Sequence, residues 1–252
     1  MNIFRNKITP FKDIFPNGFV DIHSHLLNGI DDGAKTLDES IELSKQFQEL
    51  GMTDIITTPH VLGELWPNTP ELITDRLHVL QNELTRNGLE NFQIKAAAEY
   101  MIDDAFIKLL KEKKLLTIGD NFLLIELPFY NAPENLNEII FNIQTNGFKP
   151  ILAHPERYFY YHNKIKDLVK LRDIGCFFQL NLLSLTKHYG NDVYKIAVYL
   201  LKNNFIDFLG TDIHNTNHID KLKKLGTSKN VKLLEPYILK NEIFRPFKKT
   251  LF

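Results

Sequence analysis

A single α/β domain closed as a barrel of about seven parallel strands is the fold class that the sequence predicts. Two observations carry the prediction. Short apolar runs rich in β-forming residues alternate with helix-like segments, and six of the seven runs end in a His, Asp or Glu directly after their apolar body. Strands alternating with helices pair in parallel through right-handed crossovers, either in a barrel or in an open doubly wound sheet. The polar ends favour the barrel. An open sheet would hold distant strand ends far apart, whereas a barrel gathers all its C-terminal strand ends around one mouth. At 252 residues with 44% apolar content, the chain can bury the core of one such domain.

The first strand is FVDIHSH (19–25), where alternation puts His23 and His25 on one face, about 7 Å apart along the strand and able to chelate one ion. A glycine-flanked turn, Gly29-Ile30-Asp31-Asp32-Gly33, then brings two carboxylates near the same mouth, and a helix is expected over 37–50 with Thr36 as its N-cap. The second run, DIITTPH (54–60), ends in Pro59-His60 and leads to a helix over 70–88. FQIKAAAE (92–99) ends in Glu99 before a helix over 103–114, and NFLLIELP (121–128) carries Glu126 before Pro128 and a helix over 134–146. KPILAHP (149–155) ends in His154-Pro155 before a helix over 162–174, and CFFQLN (176–181), before a helix over 190–203, ends in none of the three. The last run, FIDFLGTDIH (205–214), closes on Asp212-Ile213-His214. The mildly basic tail 228–252, with Pro236 and Pro246, is expected to pack as a terminal helix or arm.

Composition narrows the function. Thirty Lys and Arg against thirty-one Asp and Glu give a net charge of -1. No global field would draw the protein to nucleic acid or an anionic membrane, so anion binding must be local. The opening MNIFRNKITPFKDIFPNGF lacks the apolar core of a signal peptide, and no later stretch offers ~18 uninterrupted apolar residues. The expectation is a soluble cytoplasmic protein without membrane insertion, its oligomeric state open. The lone Cys176 excludes a disulfide framework and a thiolate zinc site. It also excludes a thiol-based phosphatase, which needs an Arg six positions on, where Leu182 stands.

Singly, a strand-end His is more often structural than a ligand. Here five of nine histidines sit at strand C-termini among carboxylates whose burial would be costly without a compensating cation. His78, His162, His188 and His218 fall in helices or loops and are read as solvated or capping residues. Imidazole and carboxylate ligands without thiolate suit Mn, Fe or Zn better than Ca or Mg, and bridged ions can lower the pKa of a shared water and clamp a phosphoryl oxygen. His154-Pro155-Glu156-Arg157-Tyr158 adds a guanidinium suited to phosphate just past a proposed ligand; the alternative is a surface Arg157 paired with Glu156.

These residues make the chain resemble the PHP (polymerase and histidinol phosphatase) superfamily and, within it, the bacterial tyrosine-protein phosphatases of the CpsB/CapC/YwqE type. The motifs DIHSHLLNGIDDGAKTLDES, ITTPH, AAEY, LIELP, LAHPERY and GTDIH follow in the family order, over about residues 19–220. The resemblance implies a distorted TIM-like (β/α)7 barrel with three metal ions, usually manganese, with iron or zinc as alternatives. It assigns one ion to His23, His25, Glu99 and Asp212, a second to Glu99, Glu126 and His154, and a third to Asp32, His60 and His214. Arg157 would hold the phosphate. In the implied reaction a metal-bridging hydroxide attacks phosphorus in line and the tyrosyl oxygen leaves, with Asp32, other carboxylates or His214 managing protons. The implied substrate is a phosphotyrosine-bearing protein, such as a bacterial tyrosine kinase controlling capsule or exopolysaccharide synthesis.

Asp31 is the reserve for Asp32. The sequence departs from better-known members in the loop VLGELWPNTPE after His60, which has no basic residue, and at His218, where several relatives have an arginine. Trp66, with Phe129, Tyr130 and Tyr158, could form an aromatic wall for a phenol ring or simply pack on the rim. A histidinol-phosphate phosphatase and a non-catalytic metal-binding scaffold are the alternative functions.

Overall fold

The computed structural model describes residues 8–245. Every apolar run forms extended chain, but two of the seven are split, so that nine short strands result. They are β1 (Val20–Asp21), β2 (Asp54–Thr57), β3 (His60–Val61), β4 (Gln93–Ala96), β5 (Glu99–Met101), β6 (Phe122–Glu126), β7 (Lys149–Ala153), β8 (Phe177–Asn181) and β9 (Phe208–Gly210). The break between β2 and β3 falls at Thr58-Pro59, where proline has no N–H to give the ladder. Backbone bonds carry the chain across it, Thr58 N–H donating to Ser24 O at 2.7 Å and Glu99 N–H to Pro59 O at 3.0 Å.

The expected helices stand at Leu37–Glu49, Pro70–Arg86, Asp104–Glu112, Leu136–Thr145, Ile165–Asp173 and Asn191–Lys202. Thr36 caps the first by accepting from Glu39 N–H, Thr69 the second from Leu72 N–H, and Asp103 the third from Phe106 N–H. Thr216–Leu222 and Ser228–Leu234 add two further helices. Among the described residues no helix is long and apolar enough to cross a membrane.

All strand pairs are parallel, in two sheets ordered β1-β2-β4 and β3-β5-β6-β7-β8-β9. The expected closed sheet is not found among the described residues. An isolated parallel bridge, Ser24 to Ile213, joins the end of the first run to the end of the last. The ladder is interrupted there because Asp212, just past β9, adopts φ 53°, outside extended geometry.

Most buried apolar side chains form one core between strands and helices. A second cluster, including Val20, Ile22, Ile56, Leu124, Ile151 and Phe208, draws on strands of both sheets. It is sealed at the N-terminal strand ends by the expected tail arm. Phe244 packs on Phe122 and Phe208, with ring centroids 5.2 and 5.0 Å apart. Asn241 ties the sheets together, donating to Val20 O (2.8 Å) and Leu209 O (2.7 Å) and accepting from Leu209 N–H (3.1 Å). Residues 246–252 of the tail, Pro246 included, lie outside the described residues.

Candidate metal centre

Parallel pairing sends every strand's C-terminal end the same way, and the register brings the polar ends level. His60 pairs with Glu99, Met101 with Glu126, and Asn181 with Gly210 two residues before Asp212. His23, His25, His60, Glu99, Glu126, His154 and Asp212 are all buried; Asp32 is exposed and His214 is half-buried. All nine expected ligands fall into four overlapping groups whose ligand atoms lie within 4.8 Å of one another: His23, His25 and Glu99; His60, Glu99 and Glu126; His23, His154 and Asp212; and His25, Asp32, His60 and His214. His60 belongs to two of them. Its Nδ1 is 3.1 Å from Glu99 Oε2, and its Nε2 is 3.6 Å from Asp32 Oδ1.

Hydrogen bonds aim the rings. Gln179 commits its amide nitrogen to Leu180 O (2.8 Å), so its oxygen takes the Nδ1 proton of His23 at 2.8 Å and leaves His23 Nε2 a free lone pair. Asp31 Oδ2 does the same for His25 Nδ1 at 2.8 Å, and Asp212 O for His214 Nδ1 at 2.9 Å. His23 Nε2, His25 Nε2, His60 Nδ1 and Glu99 Oε2 are buried without any hydrogen-bond partner. Buried polar atoms left unpaired cost about 1–3 kcal/mol each, and a divalent cation among these convergent lone pairs would satisfy them. The donor set fits such an ion.

Electrostatics agree. Burial alone would raise the pKa values of Glu99 and Asp212, yet neighbouring His23 and other imidazoles hold both well below the usual carboxylate range. Burial likewise opposes protonation of His23 and His25, but adjacent carboxylates outweigh it and push both up. His154 reaches about 9, against burial and Arg157, through Glu126 and Glu99. The cluster therefore attracts positive charge, which a metal would supply while displacing these protons.

The two acids of the turn separate. Asp31 is buried, its Oδ1 accepting from Gly33 N–H (2.9 Å) and its Oδ2 from His60 N–H (3.1 Å) as well as from His25. These bonds fit a side chain that orients His25 and the His60 backbone. Asp32, with its side chain 50% exposed, places Oδ1 3.2 Å from His214 Nε2; although burial works against it, His214 brings its pKa down to about 2. Gly33 is required by close approach, since a Cβ there would lie 2.3 Å from His25 O. His154 (φ 35°) and Asp212 (φ 53°) both occupy the left-handed region, local strain of the kind that gathers at functional sites.

Above the cluster lies a cleft of about 490 Å³, whose walls include Trp66, Phe129, Arg157, Tyr189 and His218. Trp66 stacks on His60, centroids 5.0 Å apart and planes at 11°. Arg157 lies over the rings of Tyr189 (4.4 Å) and Phe129 (5.1 Å), and its Nη1 donates to Asp212 Oδ2 at 2.7 Å. Glu156 turns inward instead, accepting from Asn181 N–H (2.9 Å) and the Ser184 hydroxyl (2.7 Å), so the surface pair Glu156–Arg157 does not form.

The aromatic wall differs from expectation. Tyr158 is fully buried, its hydroxyl donating to Ala153 O and accepting from Leu127 N–H, and Tyr130 is 95% exposed. Neither lines the cleft. Tyr189 does, and it gave no sequence signal. His218, read as a bland residue, also lines it and accepts His214 N–H at Nδ1 (3.3 Å); burial first, then the charge of His214, pushes its pKa down to about 4. Gln179 and Asn181, also missed, alternate on the sixth run, and Asn181 Nδ2 donates to Asp212 Oδ2 at 2.7 Å. Two amides two apart on the run without a charged end were the available signal.

Comparison with known proteins gives one family match, capsular polysaccharide synthesis, CpsB/CapC, over residues 19–233. CapC of Staphylococcus aureus is 35% identical over 87% of this chain and 88% of its own. Tyrosine-protein phosphatase CpsB of Streptococcus pneumoniae is 30% identical over 78% and 83%. The fold is similar to the crystal structures of YwqE from Bacillus subtilis and CpsB from Streptococcus pneumoniae, metal-dependent tyrosine phosphatases, with a TM-score of 0.77 and 26% identity over 92% of this chain and 97% of the matched one.

Proposed function

The chain belongs to the CpsB/CapC family, and from that premise we propose that it is a metal-dependent phosphomonoester hydrolase acting on phosphotyrosine in proteins. The observation that carries the proposal is the convergence of unpaired imidazole and carboxylate atoms beneath a cleft that also holds Arg157. We assign His23, His25, Asp32, His60, Glu99, Glu126, His154, Asp212 and His214 to three ions, manganese being the metal that the family resemblance implies, with iron or zinc also suited to this donor set. The ligand groups overlap at Glu99 and His60, which favours ions sharing ligands over a single site. We read the chain as one domain and its two sheets as arcs of one distorted TIM-like barrel, a reading supported by their common second core and the Ser24–Ile213 bridge.

Bound divalent ions would supply Lewis acidity and a water of lowered pKa at the phosphoryl group. Arg157, held between two aromatic faces, presents its remaining donors to phosphoryl oxygens. Trp66 and Phe129 flank the phenol ring. Asp32 and His214, facing each other at the open edge, are placed to handle the proton of the attacking water. The tyrosyl oxygen departs toward solvent, which protonates it. The family description, capsular polysaccharide synthesis, supports a tyrosine kinase of that process as the protein substrate.

Metal analysis joined to assays on phosphotyrosine peptides tests the reading. Wild-type protein is expected to bind manganese and turn the peptides over, and Glu99→Gln to lose activity by about 100-fold or more together with bound metal. A wild type that carries no metal and stays inactive after manganese addition would overturn it.

A further inference from the structure

Behind Trp66 lies a second cavity, of about 360 Å³, that shares Leu65 and Trp66 as walls with the catalytic cleft. Its other walls include the turn at Gly29–Asp31, Asn68 and Arg76. It is tied firmly to the metal centre. Asn68 Nδ2 donates to the carbonyls of both Ile30 and His60, each at 2.8 Å, and the same turn carries Asp31 and Asp32.

Arg76 stands out chemically. Its Nε is buried without a hydrogen-bond partner, and among the described residues its guanidinium makes neither a hydrogen bond nor an ion pair. The sequence explains why. On the helix Pro70–Arg86 the neighbours three and four positions away are Leu72, Ile73, Val79 and Leu80, none of them acidic. A second cation reaches a wall residue of the cavity. The Lys35 ammonium donates to Asp31 O at 3.1 Å, and it too pairs with no carboxylate among the described residues. A buried guanidinium nitrogen with no partner is a donor that an arriving anion can satisfy.

We propose that this cavity is an anion subsite for the substrate, and that Arg76, with Lys35 at its edge, binds a carboxylate or phosphoryl group carried a few residues from the phosphotyrosine. The proposal rests on the phosphotyrosine reading given above. An extended peptide advances about 3.3 Å per residue, so a chain whose phenol ring lies against Trp66 on the cleft side reaches the Arg76 side within a few residues. Trp66 is then the partition between two anion sites, and the subsite gives preference for tyrosines in acidic or multiply phosphorylated surroundings. A guanidinium recognises both anions, by bidentate bonds to either.

The test uses the full chain loaded with manganese and three peptides, identical except that the residue about three positions from the reactive one is Ala, Glu or a second phosphotyrosine. Affinity is read with a non-hydrolysable phosphonate in place of the reactive phosphotyrosine, by the fluorescence of Trp66, the chain's single tryptophan. Wild type should bind both anionic peptides about tenfold more tightly than the Ala peptide. Arg76→Ala should abolish that preference and Arg76→Glu reverse it, whereas Arg76→Lys should keep part of it. Turnover of a small aryl phosphate should stay within about twofold of wild type in Arg76→Ala, because the subsite acts only on longer ligands. A wild type indifferent to the flank, or an Arg76→Ala that keeps the preference, overturns the subsite. A flank preference in binding without turnover of any phosphoester would leave the subsite standing and remove the phosphatase reading. Preference for phosphotyrosine over Glu, or the reverse, identifies which anion the cavity takes.

Discussion

Asp31 and Asp32 differ by one position and by everything else that matters at the site. Asp31 Oδ2 accepts from His25 Nδ1 and from His60 N–H, whereas Asp32 faces His214 across the open edge. Removing Asp31 should therefore act on the metal through His25. Asp31→Ala is expected to weaken manganese binding 10- to 100-fold with the fold retained, measured by competition with a chromophoric chelator. An unchanged affinity would show that His25 needs no such support. Cys176, by contrast, is chemically quiet, its thiol pushed up to about 12 by burial. At this scale the candidate ligands were legible because a charged or imidazole side chain directly after an apolar run stands out. The groups that aim them were not. Gln179 and Asn181 carry no charge, and their relevance depends on His23, 156 residues from Gln179, and on Asp212.

Local chemistry set the elements well. Thr36, Thr69 and Asp103 cap where a hydroxyl or carboxylate precedes an amphipathic run, and helices stand within a few residues of their expected bounds. The strands broke where the backbone could not continue the ladder, at Pro59 and near the left-handed Asp212. What joins the two sheets at the far end from the site is Asn241, with three hydrogen bonds to Val20 and Leu209. Asn241→Ala would leave those backbone groups buried and unpaired, and is expected to lower stability by about 3 kcal/mol while leaving kcat within twofold. Urea unfolding and a steady-state assay together check it. A variant that loses activity at unchanged stability would contradict this division between the two ends.

Over the whole molecule, near neutrality hides a strong internal asymmetry. The chain balances at -1, yet its centre concentrates buried carboxylates, Glu99 and Asp212 among them, that neighbouring imidazoles hold well below the usual carboxylate range. Metal ions that bind the folded site and not the unfolded chain stabilise by mass action. Stripping them with a chelator is expected to lower Tm on the order of 10 °C, restored by manganese but not by magnesium at equal concentration. A Tm indifferent to the chelator would deny the cluster a structural metal. Near neutrality leaves anion recognition to local groups, which we propose are Arg157 in the cleft and Arg76 behind Trp66.

From the sequence by itself came the alternation of strand and helix, the caps, the nine ligand candidates and Arg157, because each rests on neighbours within a few residues. Tertiary structure alone decided that the ladder stays open between two sheets, that Tyr158 is buried under the rim while Tyr189 enters the cleft, and which imidazole nitrogen faces the centre. It also left Arg76, beside the cleft, without a partner among the described residues. These outcomes depend on register and distance between segments that meet only on folding, and no local pattern of apolar and charged residues encodes such distances.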